Sequence, residues 1–107
     1  MISRELIAAS AEPLILSILQ REENYGYAIA EKVRAFSGGK MNWTEGMLYP
    51  VLHRLERRGL LQSRWEAQEN GRKRRYYSVT TKGRKALAER RSEWETVHAA
   101  LNQAWGT

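Results

Sequence analysis

The sequence predicts a mainly α-helical chain that carries a small β-hairpin and ends in a long helix. Apolar residues recur at helical spacing before residue 60 and again after residue 80. Between these regions, two strand-like runs meet at Asn70-Gly71, a dipeptide that strongly favours a hairpin turn. Both prolines, Pro13 and Pro50, precede the hairpin, so no proline interrupts the C-terminal helical pattern.

The length and charge of the chain indicate one basic domain. We expect residues 1–107 to form a single domain, small enough that pairing with a second copy would bury more apolar surface. Eighteen Lys and Arg against twelve Asp and Glu give a formal charge of +6, which favours a polyanionic partner. Nucleic acid is therefore the first candidate partner.

The sequence lacks cysteine, a membrane-spanning run and a secretory signal, and these absences bear on the cellular compartment of the protein. The absence of cysteine excludes disulfides and thiolate metal sites, and it fits a reducing cytoplasm. No apolar run approaches the length that spans a membrane, and the N-terminus does not have the pattern of a secretory signal. We therefore expect a cytoplasmic protein that does not engage a membrane.

The first two helices are predicted on either side of a polar connection. Apolar spacing runs from Ser3 to Gln20, where Pro13 either kinks one long helix or lies in the first turn of a shorter one. We favour a helix that starts near Glu12. A second helix is expected from Tyr25 to Phe36, with its apolar side chains directed inward: Ile29, Val33 and Phe36.

A third helix is predicted to follow after the short connection from Lys40 to Trp43, as in a helix-turn-helix. Thr44 can cap this helix, and Gly59 lies where a left-handed residue commonly ends one. Pro50 predicts a local kink or a later start. One buried stripe is expected at i, i+3, i+4 and i+7: Leu48, Val51, Leu52 and Leu55.

The exposed face of the third helix and the hairpin tip are the predicted DNA contacts. On the helix we expect five side chains to face DNA and Arg54 to neutralise phosphate; the five are Thr44, Glu45, Met47, Tyr49 and His53. Strands are expected from Gln62 to Glu69 and from Arg72 to Thr80. The second strand begins with four cations that we expect at an exposed tip within reach of phosphate: Arg72, Lys73, Arg74 and Arg75.

The last helix is predicted from Lys82 to about Ala104, with Thr80-Thr81 as its cap. It is too long for one small domain to cover. One of its faces carries an apolar stripe that we expect to pack against a second copy, namely Leu87, Trp94, Val97, His98, Leu101 and Trp105. A small aromatic ligand at this interface is the weaker interpretation of the two tryptophans.

Several motifs of this chain, in order and spacing, resemble the PadR family of bacterial transcriptional regulators. They are Tyr25-Gly26-Tyr27, Glu45-Gly46-Met47-Leu48-Tyr49-Pro50, His53-Arg54-Leu55-Glu56 and the segment from Gly71 to Tyr77. The resemblance covers most of the chain. It implies a winged helix-turn-helix, at about residues 12–80, and a dimerisation helix, at about residues 81–105. It also implies a homodimer that represses transcription.

The resemblance extends to one branch of the family, which binds planar aromatic compounds between tryptophans at the dimer centre. Trp94, within Ser92-Glu93-Trp94, looks like the tryptophan of that site. The chain departs from that branch at Glu12-Pro13 and at His98. The resemblance therefore implies a planar aromatic small molecule as an effector, whose chemistry the departures leave open.

The sequence fits three classes of function to different degrees. The leading hypothesis is a homodimeric, sequence-specific regulator that binds a palindromic operator in double-stranded DNA. The alternative is a winged-helix module that binds protein without binding DNA, although such a module has no need for four clustered cations. We do not expect an enzyme, a cofactor or a metal site, because the two histidines lie on separate predicted helices without cysteines, a phosphate-binding glycine loop or an adjacent acid pair.

Overall fold

The structure is a computed structural model that describes residues 1–106. Its elements are α1 (Arg4–Arg21), β1 (Asn24–Tyr25), α2 (Gly26–Phe36), α3 (Glu45–Arg57), β2 (Leu61–Ala67), β3 (Lys73–Val79) and α4 (Thr81–Trp105). The predicted fold class is confirmed: the chain is mainly helical, and a helix-turn-helix and hairpin are followed by a long C-terminal helix.

Helix α1 runs continuously through Pro13, so the predicted start near Glu12 is wrong. Its N-terminus is fixed at Ser3, whose hydroxyl accepts a hydrogen bond from the Leu6 N–H at 3.2 Å. Proline inside a helix costs about 3 kcal/mol. Packing offsets this cost, because Ala11 is buried and Ile7 packs against the core on the N-terminal side of the proline. Spacing within one segment does not reveal such tertiary packing.

A short strand, β1, precedes α2 where the sequence indicated only a connection. Asn24 and Tyr25 pair with β3, which adds a third strand to the hairpin in the order β1-β3-β2. In α2, Ile29 and Val33 are buried as predicted, but Phe36 is 55% exposed and does not point inward. Phe36 instead lies beneath the guanidinium of Arg21, which is 5.7 Å from its ring centroid.

Helix α3 follows α2 after a turn that contains Gly38 and Gly39, so the two helices form the predicted helix-turn-helix. The Thr44 hydroxyl accepts a hydrogen bond from the Met47 N–H at 3.2 Å, which confirms the cap. The helix begins at Glu45 although Pro50 lies inside it, so a later start is wrong. Gly59 has a φ of +76° and ends the helix as expected.

Strands β2 and β3 form the hairpin that we call the wing, residues 61–79. They pair from Leu61 opposite Val79 to Ala67 opposite Lys73, so both strands are shorter than predicted. The connection is longer than the Asn70-Gly71 dipeptide: the Gln68 N–H donates to the Arg72 carbonyl at 2.7 Å, and Gly71 has a φ of +81°. Arg72 therefore lies in the turn and not in a strand.

One core joins α1, α2, α3, the wing and the start of α4. Its fully buried side chains come from every helix and from the hairpin: Ile15, Leu16, Ile29, Val33, Leu48, Leu52, Leu55, Tyr77 and Leu87 are 6% exposed or less. Helix α4 begins one residue earlier than predicted, with the Thr80 hydroxyl accepting from the Gly83 N–H at 3.0 Å. No helix within residues 1–106 is long and apolar enough to cross a membrane.

Candidate DNA-binding surface

The outermost ridge of α3 lies opposite its buried stripe. At 3.6 residues per turn, Arg57 is about 180° around the helix from Leu48, and Gly46 and Pro50 lie on the same ridge. All three ridge residues are exposed, as are His53 and Arg54 beside them. Gly46 and Pro50 carry no long side chain, so this ridge permits close approach of another molecule to the helix backbone. Arg57 was omitted from the predicted contacts, although its helical spacing indicates its position.

Thr44 and Glu45 lie at the exposed N-terminal end of α3. The Thr44 hydroxyl is occupied in capping the helix, and Glu45 is an acidic residue in the first turn, where the helix dipole favours negative charge. The Thr44 side chain therefore has a local structural role, whatever else it contacts.

Tyr49 and His53 border a cleft between α3 and the wing. Their ring centroids are 6.1 Å apart, and both rings line a cleft of about 380 Å³ together with Tyr25, Trp65, Lys73, Arg74, Arg75 and Tyr77. Tyr49 is half-buried because it packs on α2, where an added Cβ on Gly26 would lie 2.7 Å from the Tyr49 hydroxyl oxygen. Burial raises the pKa of the Tyr77 hydroxyl, so this ring remains neutral.

Met47 lies on the other flank of α3, away from the wing. It is 43% exposed and borders an apolar groove of about 460 Å³ between α1 and α3. The groove is lined by Arg4, Ile7, Ala8, Ala11, Trp43, Met47 and Val51. The structure thus separates Met47 from Tyr49 and His53, with which the sequence grouped it.

The four basic residues of the wing differ in how free their side chains are. Arg72 and Lys73 are exposed, and within residues 1–106 neither side chain has an ion pair. The Arg74 guanidinium lies 4.2 Å from the Tyr25 ring centroid and donates to Gln68 at 3.2 Å. Arg74 is therefore partly held by its contacts with Tyr25 and Gln68, while Arg72 and Lys73 remain available to a phosphate.

Arg75 does not lie free at the tip of the wing as predicted. Its guanidinium donates to the Glu56 carboxylate at 2.8 Å and to the Ser63 hydroxyl at 2.9 Å, and Ser63 in turn donates to Glu56 at 2.5 Å. It also lies 5.7 Å from the Trp65 ring centroid and 5.5 Å from that of Tyr77. Arg75 thus joins the wing to α3 and has little capacity left for a phosphate.

A second set of aromatic and charged side chains surrounds Tyr76 on the central strand of the sheet. Tyr25 and Tyr76 meet edge to face with centroids 5.5 Å apart, and Arg64 lies 5.1 Å from the Tyr76 ring. Arg64 is also paired with Glu23 in the segment before β1. The hydrogen bond from Arg64 lowers the pKa of Glu23, so this tie persists until the pH falls below the ordinary range of a glutamate.

The predicted interface stripe of α4 is only partly exposed. Leu87 is 6% exposed within the core of its own chain and is therefore not available to a partner, contrary to the prediction. Val97, Leu101 and Trp105 are 50%, 41% and 67% exposed, and His98 beside them is also exposed. The C-terminal half of α4 therefore presents an apolar stripe that its own chain does not cover.

Trp94 lies half-buried between two shallow clefts. One, of about 260 Å³, is formed with α1 and is lined by Ser10, Pro13, Leu14, Ser17, Leu87, Arg91 and Trp94. The other, of about 230 Å³, is lined by Arg90, Glu93, Trp94 and Val97. Pro13, one of the positions at which the chain departs from the aromatic-binding branch, thus lines the same cleft as Trp94. No group of acidic, histidine or cysteine side chains within residues 1–106 is arranged to hold a metal ion.

The arrangement of α2, α3 and the wing defines a winged helix-turn-helix protein. The family model described as "Transcriptional regulator PadR-like family" matches residues 15–89 of the chain. This match covers more than half of the chain, which therefore belongs to the PadR family of transcriptional regulators. Members of this family regulate transcription, and the family is not one of enzymes.

Individual relatives agree with this assignment. An uncharacterised protein of Lysinibacillus sphaericus is 28% identical over 102 residues, covering 95% of this chain and 94% of its own length. Transcriptional regulator YqjI of Escherichia coli is 30% identical over 88 residues, covering 82% of this chain. The matched part is 41% of YqjI, so the chain corresponds to less than half of that protein.

Solved structures share the whole fold. A transcriptional regulator from Clostridium thermocellum has a TM-score of 0.86 at 30% identity, covering 96% of this chain and 97% of that one. A PadR-like transcriptional regulator from Bacillus cereus has a TM-score of 0.83, also at 30% identity, covering 96% and 98% of the two chains. The long C-terminal helix is thus included in the similarity.

Proposed function

We propose that the chain acts in the cytoplasm as a homodimeric, sequence-specific DNA-binding repressor of transcription. The observation that carries this proposal is that Tyr49 and His53 of α3 line one cleft together with Lys73, one of the two free cations of the wing. A duplex that contacts the ridge brings a phosphate backbone towards the wing. We therefore call α3 the reading helix.

The chemistry of this surface fits the two parts of DNA recognition. Exposed donors and acceptors on α3 suit base edges in the major groove, and Tyr49 and His53 offer them on the side that faces the wing. Arg72 and Lys73 suit phosphates, because neither is held by an internal ion pair. Arg54 and Arg57 supply further exposed positive charge on α3.

The exposed apolar surfaces of the chain support the dimer. The stripe formed by Val97, Leu101 and Trp105 and the groove between α1 and α3 are both apolar and lie on different parts of the chain. Burying each against a second copy around a two-fold axis satisfies both surfaces in a closed assembly. In this arrangement the stripe of one copy enters the groove of the other and packs near Trp43 and Met47.

A planar aromatic effector beside Trp94 is the finer part of the proposal. Trp94 is exposed on two sides, and its clefts are apolar with Arg90, Arg91 and Glu93 at their edges. A flat apolar molecule suits such a site because its face can stack on the indole while apolar side chains cover its edges. This part depends on the dimer, since a single chain leaves both clefts open.

The decisive experiment is selection of duplexes from a random DNA pool by the purified chain. We expect palindromes whose half-site centres lie about one helical turn apart, about 10–10.5 base pairs. A matched control is the double variant Arg72→Ala with Lys73→Ala, which should lose affinity for every duplex. Absence of binding to any duplex at low salt would reject the DNA-binding proposal and favour a protein-binding module.

A further inference from the structure

The C-terminal end of α3 is attached directly to the start of α4. The Lys82 ammonium donates to the Arg58 carbonyl at 2.9 Å, and the Thr80 hydroxyl donates to the Gly59 carbonyl at 2.6 Å. Gly83 packs so closely that an added Cβ would lie 2.1 Å from the carbonyl oxygen of Leu60. These contacts join the C-terminal end of α3 to the first turn of α4.

A second attachment comes from Glu12 in the middle of α1. Its Oε2 accepts a hydrogen bond from Arg58, the residue that caps α3, at 3.0 Å. Its Oε1 lies 3.8 Å from Nε of Arg90 on α4, and Arg90 also donates to Glu93 at 3.0 Å. Within residues 1–106, Glu12 is the acidic side chain whose ion pairs reach both α3 and α4.

The Glu12 carboxylate is less exposed than the other carboxylates that form ion pairs, while its two cations, Arg58 and Arg90, are 46% and 42% exposed. Its side chain is 14% exposed, whereas the other carboxylates that form ion pairs are 27% exposed or more. Oε1 is buried and has no hydrogen-bond partner, so Arg90 is the cation that balances it. A carboxylate that is partly shielded from water is screened less by salt than a fully exposed one.

We propose that Glu12 is a positioning residue that fixes the angle between the reading helix α3 and the dimerisation helix α4. This inference rests on the proposed function. In a symmetric dimer the two α4 helices set the position of each subunit. Glu12 links the C-cap of α3 to Arg90, which lies further along α4 than the attachment at Thr80, Lys82 and Gly83, so the end of α3 is held at two points along α4. The separation of the two reading helices is then fixed, and so is the half-site spacing that the dimer accepts.

The test compares the full-length parent with Glu12→Gln and with Glu22→Gln. The control makes the same charge change at an exposed carboxylate whose cation, Lys32, lies 3.9 Å away on α2. The probes are palindromic duplexes selected by the parent, with one or two base pairs inserted or removed between half-sites. Each base pair changes the separation by about 3.4 Å and the rotation by about 35°.

We expect the parent and Glu22→Gln to lose about tenfold or more in affinity for each base pair of altered spacing, as for a poorly matched site. Glu12→Gln should lose about threefold or less, while its affinity for a single half-site and its salt slope match the parent. Arg58→Gln, which removes the partner cation, should broaden the spacing profile in the same way.

A spacing profile of Glu12→Gln that matches the parent overturns the inference. Equal weakening at every spacing, including the single half-site, also overturns it, because general loosening of the fold does not alter preference among spacings. If the parent selects no palindromic duplex, the proposed function fails first. That outcome is distinct from a parent that binds a palindrome with a profile unchanged by Glu12→Gln.

Discussion

Side chains on a β-strand alternate between two faces, but among the wing cations on one face the position along the strand decides which remain free. Tyr77 and Val79 point into the core, so Arg75 and Lys73 lie on the same face of β3. Arg75 lies close enough to the core for its guanidinium to reach Glu56 on α3. Lys73 is two residues nearer the turn, and within residues 1–106 it forms no ion pair. Two cations that look alike in the sequence therefore have different roles, one structural and one open to a ligand.

Separate replacement of Arg75 and of Arg72, the other free cation of the wing, tests this difference between structural and free cations. We expect Arg75→Ala to lower the free energy of unfolding by about 1–2 kcal/mol, because Glu56 loses a half-buried charged partner, and to leave the salt slope of DNA binding nearly unchanged. Arg72→Ala should leave stability within about 0.5 kcal/mol and lower the slope by about 0.9 for each phosphate that the protein no longer neutralises. Urea unfolding and salt titration of duplex binding measure both. The reverse pattern would place Arg75, and not Arg72, on the phosphate.

The residues at the wing also show what the sequence could and could not predict. The cationic cluster, the turn and the strand pattern were all visible, and period-two alternation from Tyr77 would have placed Arg75 inward. Its partner could not be found in the same way. Glu56 lies on another element, and only the packing of α3 against the sheet brings it within 2.8 Å of Arg75.

Gly83 provides a prediction about close packing. We expect Gly83→Ala to destabilise the fold by about 1–3 kcal/mol or more, because its Cβ would meet the Leu60 carbonyl, which is backbone and cannot move aside alone. The matched control is Gly46→Ala, also in the first turn of a helix, where the nearest atom is 3.7 Å from the added Cβ. That variant should be neutral or up to about 1 kcal/mol more stable. Equal thermal unfolding curves for the two variants would contradict the packing argument.

At the scale of elements, the helices predicted from spacing were correct where local and tertiary preferences agree. The cap at Thr44 and the end at Gly59 are local signals, and α3 follows both. The start of α1 was wrong because packing of Ile7 and Ala11 outweighs the local cost of Pro13. The strand β1 was missed because two residues carry no periodicity, and it exists only by pairing with β3.

The proposed role of the C-terminal half of α4 in dimerisation can be tested by substitution. We expect Leu101→Lys to weaken dimerisation by about a hundredfold or more, because the charge would be buried in an apolar contact, and to leave the secondary structure intact. Gln103→Lys places the same charge on an exposed position two residues away and serves as the control. Sedimentation equilibrium over a range of concentrations measures both. Equal dissociation constants for the two variants would exclude this stripe from the interface.

At the scale of the whole molecule, a series of neighbouring residues connects the proposed effector site at Trp94 with the proposed DNA-binding helix α3. Trp94 and Pro13 line one cleft, the neighbouring Glu12 pairs with Arg90 and Arg58, and Arg58 caps the reading helix. The packing of α1 against α4 near Trp94 therefore lies next to the Glu12 ion pairs, which we propose position α3. This proximity gives a ligand beside Trp94 a physical route to the DNA-binding surface, provided that it binds the two arrangements of the dimer unequally.

Titration of the DNA-free protein with a planar acridine dye tests whether Trp94 forms such a site. We expect the dye to quench tryptophan fluorescence by stacking on the Trp94 ring, because two open clefts border that ring, and the dimer that we propose would bring its symmetry mate nearby. Saturable quenching should be lost in Trp94→Phe. It should persist in Trp65→Phe, which removes an exposed tryptophan from the wing. If quenching instead disappears in Trp65→Phe and survives in Trp94→Phe, the dye binds the wing, and Trp94 serves packing alone.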